Sequence, residues 1–408
     1  MIDLLHRLYE RSVLEPARRM RVVSGPQGAR VVLEGRSVLV LCSDNCLGLA
    51  EHPRAREAAA DAALRWGAGA GASRLASGTM TPHCRLEDEL AVFHGTESAL
   101  LFGSGCEAYS GVVPALADRG DVVFVDALNH PASVDGCRLS GAEVFAYDHC
   151  DVEHLEWGLR RAGSRGALIV TEGVFALDGD VAPLAEIAQL AGSFGVRMLV
   201  DETHGIGALG PGGRGAVAEA GVEDDVDVLV GSLGSALGTS GAYVCGNGSL
   251  TRYLLSTAAS LGWGTAPPPP SAAGALAALE LILEQPRRVD KLQANGHVLR
   301  EALSREGFDT VGSATHIVPV VVGPGELASR VAELAIGGGV FAGAVGPSEA
   351  ARLRLAVMAS HTKSELRDAA QVLGRAALLG GFRPGSGLPL LAAQSTGVSR
   401  HEFVAQAA

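Results

Sequence analysis

Lysine is almost missing from this chain. Of 408 residues only Lys291 and Lys363 carry that amine, and both lie in stretches that read as helices of a smaller C-terminal domain. Covalent chemistry through a lysine therefore has few places to come from. Also missing is any apolar run near the roughly eighteen residues that would span a bilayer, although mean hydropathy is slightly positive at +0.23. Ala, Leu, Val and Gly supply that excess, and no membrane segment is expected. Lys/Arg-rich runs and interleaved basic and aromatic residues are absent as well. With a formal charge of -12 and a pI near 5.5, the composition turns away nucleic acid. The seven cysteines (Cys42, Cys46, Cys84, Cys106, Cys137, Cys150, Cys245) show neither CxxC nor Cys/His ligand spacing, so neither a disulfide framework nor a metal site is expected. The N-terminus, Met1-Ile2-Asp3-Leu4-Leu5-His6-Arg7, reads as an amphipathic helix without a basic segment followed by an unbroken apolar one. A cytoplasmic protein is expected.

What is present is apolar mass: 47% hydrophobic residues can bury a large core spread over two or three domains. Between about Leu100 and Val244, short β-rich runs alternate with helical patterns. The runs are Val122-Val123-Phe124-Val125, Glu143-Val144-Phe145-Ala146-Tyr147, Ala167-Leu168-Ile169-Val170, Arg197-Met198-Leu199-Val200 and Val228-Leu229-Val230. Such alternation predicts an α/β fold with a mostly parallel sheet covered on both faces. One helix is predicted after Pro183, with Leu184, Ile187, Leu190 and Phe194 at helical spacing and Gly195 ending it. Another is predicted from Thr81-Pro82, burying Leu86, Leu90 and Phe93.

The run Thr265-Ala266-Pro267-Pro268-Pro269-Pro270 predicts a rigid break, followed by a helix from about Ala272 to Glu284. A domain junction is placed there. The expected layout is an N-terminal segment over 1–44 packing with the small domain, a large domain over 45–270, a small C-terminal α/β domain over 271–380 and a tail over 381–408. In the small domain Ile317–Val322 and Arg352–Val357 read as strands. The Gly/Ala-rich stretch from Gly67 to Ala72 reads as a loop in which backbones approach closely.

In such sheets ligands sit beyond the carboxyl ends of the strands, so polar residues just after the apolar runs are the candidates. The string Leu199-Val200-Asp201-Glu202-Thr203-His204-Gly205 ends a strand with an acid and, three residues later, a histidine. An aspartate there can pair with a protonated ring nitrogen, and the histidine can reach an oxygen of the same ring. Taken alone, the string is accounted for better by an aspartate capping the following turn and an internally bonded histidine.

Further strings accompany it in order. They are Asn45-Cys46-Leu47-Gly48-Leu49, Gly71-Ala72-Ser73-Arg74 with Gly78-Thr79 and His83, and Phe102-Gly103-Ser104-Gly105-Cys106-Glu107-Ala108. After these come Asp126-Ala127-Leu128-Asn129-His130, Thr171-Glu172-Gly173-Val174-Phe175-Ala176-Leu177-Asp178-Gly179-Asp180, Gly212-Gly213-Arg214-Gly215, and Ala351-Arg352-Leu353-Arg354 with His361-Thr362. Carried by these motifs from about Asn45 to Thr362, the chain resembles the α-oxoamine synthases, pyridoxal-phosphate enzymes of fold type I in the class I/II aminotransferase group. The resemblance implies the aspartate aminotransferase-like architecture and the condensation of an amino acid with an acyl-CoA or acyl-carrier-protein thioester. It implies that the amides of Gly105, Cys106 and Glu107 receive the cofactor phosphate and that His130 stacks on the ring. By the same resemblance Glu172, Asp201, His204 and Ser232 line the cofactor, while Asn45 and Arg354 hold the amino-acid carboxylate. Thr265 would reach across a homodimer interface to the phosphate.

One departure changes the chemistry. The lysine of the resembled family falls in a string that reads here Gly231-Ser232-Leu233-Gly234-Ser235-Ala236-Leu237-Gly238, with Ser235 in its place. A hydroxyl forms no imine and offers no amine to carry protons at Cα. Ala176, Tyr109 and Cys46 also depart from serine, asparagine and tyrosine, and Gly346-Pro347-Ser348-Glu349-Ala350 shortens a loop, so natural divergence accounts for the pattern better than one engineered substitution. Pyridoxal phosphate is therefore expected non-covalently, as an external aldimine, or not at all. Two other readings stay open. In a cofactor-independent acyltransferase Ser235, His204 and Asp201 would act as nucleophile, base and orienter, with His130 alongside; the alternative is a non-catalytic partner of a lysine-bearing chain.

Overall fold

The computed structural model describes residues 20–346 and 350–385. The predicted helix at Met1–Arg7, residues 347–349 of the shortened loop, and the tail beyond 385 lie outside the described residues. The chain divides into two compact units. The larger is Leu49–Ala176 with Val181–Val289, and the smaller gathers the described residues up to Gly48, Leu177–Asp180 and those from Asp290 onward.

In the smaller unit the first strands are β1 (Val23–Ser24), β2 (Arg30–Leu33) and β3 (Arg36–Val40). The larger unit then contributes β4 (Ser98–Phe102), β5 (Val122–Asp126), β6 (Glu143–Tyr147), β7 (Gly166–Glu172), β8 (Arg197–Asp201), β9 (Val228–Ser232) and β10 (Ala242–Gly246). Their sheet order is β4-β10-β9-β8-β7-β5-β6. The ladders from β9 through β6 are parallel, and β10 runs antiparallel to both its neighbours. β5, Val-Val-Phe-Val-Asp, is buried at every residue, as expected of a strand covered on both faces.

The helix Gly105–Leu116 covers one face of this sheet. Its Tyr109, Val112 and Val113 enter a core with Val123, Val125, Val170, Leu199, Val230 and Val244. Ser104 caps the helix by accepting from the Glu107 N–H. The helix Thr81–His94 buries Leu86, Leu90 and Phe93, and Leu184–Phe194 starts after Pro183 and ends at Gly195 in the left-handed region.

The smaller unit continues with β11 (Ile317–Gly323), β12 (Val340–Phe341), β13 (Gly343–Val345) and β14 (Ala351–Ala356). β12 joins β3 in a four-stranded sheet, and β11-β14-β13 form an antiparallel one.

One expectation needs correcting. The helix after the proline run, Pro269–Glu284, belongs to the larger unit, where it packs along the helix Pro53–Trp66; the units part at Val289/Asp290, not at residue 270. Its Ala- and Leu-rich surface is buried on several sides, which a break in the sequence does not reveal. In the loop 67–72, Gly67 and Gly71 serve a positive φ, of 92° and 76°, and the close backbone approach is at Ala72, whose carbonyl oxygen a Cβ on Gly78 would meet at 2.0 Å.

One polar group shapes several glycines. Glu202 follows β8, is fully buried, and accepts from the N–H groups of Ala216 (3.0 Å) and Val217 (2.6 Å). Cβ atoms on Gly205 and Gly215 would lie 1.8 and 2.4 Å from its Oε2. Gly205→Ala should therefore cost about 3 kcal/mol, read as a lower urea midpoint. Burial raises the Glu202 carboxyl to about 7, against the two donors that favour its charged form. The folded chain thus holds this proton more tightly than the unfolded chain, and stability from this group declines as pH rises from about 4.5 through about 7. Glu202→Gln should flatten that decline in urea titrations run across the interval.

Candidate active site

The ends of the parallel strands bring carboxylates together. In the β7–β8 ladder Glu172 lies in register with Asp201, both last residues of their strands. Glu172 accepts from the His130 N–H and, at 3.0 Å, from the Ala176 N–H. Its carboxyl is pushed up by burial first and then by the Asp201 charge beside it. Asp126, at the end of β5, adds charge of the same sign. Asp201 is 7% exposed. Its Oδ1 accepts from the Thr203 N–H at 2.7 Å, and its Oδ2 accepts from the Tyr109 hydroxyl at 2.5 Å. The phenol is held well above its ordinary pKa by burial and by Asp201, so it remains a donor.

His130 is exposed and starts the helix Pro131–Ser140. Its Nδ1 accepts from the Ala132 N–H at 3.1 Å, which places the ring proton of the neutral form on Nε2. His204 is half-buried on the turn after β8.

The sequence reading gave the amides of Gly105, Cys106 and Glu107 to an anion. Gly105 and Cys106 are the first two residues of their helix, where backbone N–H groups have no intrahelical acceptor, and a Cβ on Gly105 would meet nothing within 4 Å. The Glu107 amide is different. It donates to Ser104 Oγ, and the Glu107 carboxylate folds back to accept from the Gly103 N–H at 3.0 Å. Glu107 thus closes the turn on itself. Thr265 is exposed, and its loop is pinned by the Ala266 N–H to the Ala72 carbonyl (2.9 Å) and by His83 Nε2 to the Pro267 carbonyl (2.7 Å).

Ser232 ends β9 and its Oγ accepts from the Gly234 N–H at 2.9 Å. Ser235 lies on the turn that follows. It is 3% exposed, and among the described residues its Oγ has no hydrogen-bond partner. An unsatisfied buried hydroxyl costs about 1–3 kcal/mol.

The remaining two candidates belong to the smaller unit. Asn45 is buried and gives its Nδ2–H to the Gln27 carbonyl at 2.8 Å. Arg354, on β14, faces Asp44 at 3.2 Å.

Residue reasoning missed the Tyr109–Asp201 bond, although it marked Tyr109 as a departure. It also missed Asp44 and a cluster at the ends of β5 and β6, where Asp126 and His149 Nδ1 lie 2.8 Å apart with Cys150 Sγ 3.7 Å from His149 Nε2. Asp126 there also accepts from the N–H groups of Leu128 and Cys150, so it ties two strand ends together and has little capacity left for an ion.

The family model for aminotransferase class I and II matches residues 36–373. The chain is 44% identical over 363 residues to the 8-amino-7-oxononanoate synthase of Citrifermentans bemidjiense, covering 87% of this chain and 93% of that protein. To that of Anaeromyxobacter dehalogenans it is 46% identical over 371 residues, covering 90% and 92%. Among solved structures, serine palmitoyltransferase with PLP internal aldimine superposes with a TM-score of 0.87 at 27% identity, covering 93% of this chain and 97% of the other. A lysine-to-alanine variant of serine palmitoyltransferase from S. paucimobilis, described with bound PLP–myriocin aldimine, matches with the same TM-score, identity and coverage.

Tyr109→Phe would leave Asp201 Oδ2 without its core-side donor. A loss of about 1–3 kcal/mol in equilibrium urea unfolding is expected, with the fold retained by circular dichroism.

Proposed function

Since this chain belongs to the aminotransferase class I and II family, and within it to the α-oxoamine synthases, we propose that it binds pyridoxal phosphate without a covalent anchor, on a scaffold for condensing an amino acid with an acyl thioester. The observation that carries this reading is Ser235. Its buried hydroxyl, without a hydrogen-bond partner among the described residues, stands where the lysine string places an amine.

The other candidate residues fit the cofactor. The charges acting on Glu172 are carboxylates, Asp201 and Asp126, and a protonated pyridine nitrogen beside Asp201 would supply the missing positive charge. The open space at Gly105 and the first-turn amides of its helix suit a phosphate. Exposed His130 offers a ring face for stacking, and Ser235 Oγ offers a hydrogen bond near the reacting end. When bound, pyridoxal phosphate supplies the electron sink that makes an amino-acid Cα reactive.

The chain's own residues then have defined tasks. Asp201, steered by Tyr109 and the Thr203 amide, orients the ring through its nitrogen. His204 binds a ring oxygen, Ser232 and Thr265 complete the phosphate and ring contacts, and Asn45 with Arg354 holds a carboxylate. Thr265 acts across a homodimer. Ser235 can donate or accept a hydrogen bond but carries no amine, so it cannot move the Cα proton as a lysine would. A serine palmitoyltransferase with a lysine changed to alanine is described with bound PLP–myriocin aldimine, which supports a scaffold of this kind holding PLP as such an adduct.

Absorbance spectra of the purified chain with pyridoxal phosphate, alone and with small amino acids, test the reading. A new band that appears only with an amino acid is expected. No band under any condition would sink it in favour of the cofactor-independent acyltransferase using Ser235, His204 and Asp201, while co-purification of a lysine-bearing relative would point to the partner-subunit reading. Ser235→Lys should create a bond to the cofactor that borohydride makes permanent, seen as added mass on the intact protein.

A further inference from the structure

We propose that His83 is a positioning residue for phosphate recognition: it holds the loop that carries Thr265, and through that loop it sets how well a phosphorylated ring is bound. This rests on the role given to Thr265 above.

Thr265 is exposed, and its place is set by its neighbours in the chain. The Ala266 N–H donates to the Ala72 carbonyl at 2.9 Å, and the Pro267 carbonyl is met by His83 Nε2 at 2.7 Å. Both partners come from the stretch 72–83, which is folded tightly on itself. There the Gly78 N–H donates to the Ser73 carbonyl at 3.0 Å and the Thr79 hydroxyl to the Arg74 carbonyl at 2.7 Å. Beyond Pro267 the loop has little freedom, because Pro267 and Pro268 have fixed φ and the helix Pro269–Glu284 follows directly.

His83 is fully buried. Its Nδ1 accepts from the Met80 N–H at 3.0 Å, a group that can only donate, so the ring hydrogen sits on Nε2 and is given to the Pro267 carbonyl. Burial lowers the pKa of the ring first, the Pro267 carbonyl opposes this, and the Arg74 charge lowers it further, so the neutral form is kept. The Met80 bond is a helix cap at the start of Thr81–His94, a local task. The Pro267 bond is not needed for that cap. It joins positions 184 residues apart, and its effect is on the loop.

The same helix holds the turn expected to receive the phosphate. Glu87, one turn after His83, accepts from the Leu101 N–H at 2.8 Å and from Arg74 at 2.6 Å, and the Arg74 and Glu87 side chains are only 6% and 12% exposed. Leu101 lies in β4, which runs into Gly103–Glu107, and a Cβ on Gly103 would come within 3.8 Å of the Thr265 carbonyl oxygen. Glu87 thus fixes the turn and His83 fixes the loop, both from one helix. A dimer that shares its sites, as proposed above, needs that spacing to be the same in both copies.

Pyridoxine phosphate and pyridoxine carry no aldehyde and differ only in the phosphate, so the ratio of their affinities, measured by isothermal titration calorimetry on the full chain, isolates that group. His83→Leu should lower the ratio about fivefold. His83→Gln, whose amide can accept from the Met80 N–H and donate to the Pro267 carbonyl, should restore it. In Thr265→Ala the ratio should already be low, and adding His83→Leu should lower it no further. If His83→Leu does not fold by circular dichroism, His83→Asn, which keeps an acceptor for Met80 and is too short for Pro267, serves in its place. A ratio that Thr265→Ala lowers and the His83 variants leave unchanged overturns the role of His83 alone. Losses that simply add in the double variant overturn its action through Thr265. A ratio untouched by Thr265→Ala overturns the phosphate reading of Thr265 and this inference with it, and failure of both compounds to bind the unaltered chain overturns the cofactor reading on which both stand.

Discussion

Register between two neighbouring strands is the constraint on which the rest of the site depends. Pairing β7 with β8 places Glu172 beside Asp201 at the open end of the sheet, where burial and the neighbouring Asp201 charge make the Glu172 carboxyl hold its proton more tightly. Such a pair survives only if each oxygen is met by a donor or by positive charge. Backbone amides of His130 and Ala176 meet Glu172, and the Thr203 amide and the Tyr109 phenol meet Asp201. These donors come from loops and a helix far apart in the chain, so satisfying two carboxylates also fixes the positions of the residues that would surround a ring.

Tyr109 has a further effect. Its ring packs in the core under the sheet end, and its backbone lies so close to the helix Pro131–Ser140 that a Cβ on Gly136 would fall 2.7 Å from the Tyr109 carbonyl oxygen. The donor to Asp201 is therefore a stiff one. A short polar side chain at that position would leave Asp201 freer to turn, whereas here its direction is set from beneath. Serine at 235 and tyrosine at 109 thus change different things, one removing a covalent handle from the resembled string and the other giving Asp201 a hydrogen-bond donor.

The sheet was readable because fully buried parallel strands appear as continuous β-branched runs, and the five runs chosen fall within β5 to β9. β4 and β10 were not among them. Their Ser98-Ala99 and Cys245-Gly246 segments contain small residues that carry little strand signal. Gly105, Cys106, His130, Glu172, Asp201 and Ser235 could be named because motif order survives in the sequence. What each side chain bonds to could not. The Tyr109–Asp201 contact joins positions 92 residues apart, the Glu107 amide is taken by its own cap, and nothing in Arg-Leu-Arg reveals that Arg352 meets Asp178 while Arg354 meets Asp44. Those differences depend on burial and on partners that arrive from elsewhere in the chain.

The smaller unit is assembled from three separate pieces of sequence, and its first sheet closes only when Val340 and Phe341 of β12 pair with Leu39 and Val40 of β3. During synthesis the leading hairpin must wait while roughly three hundred residues are added, which at ribosomal speeds takes tens of seconds. By then every strand of the seven-stranded sheet has been made. Vectorial folding would therefore finish the larger unit first, leaving an unpaired β3 edge as the segment most in need of protection from chance pairing before the chain is complete.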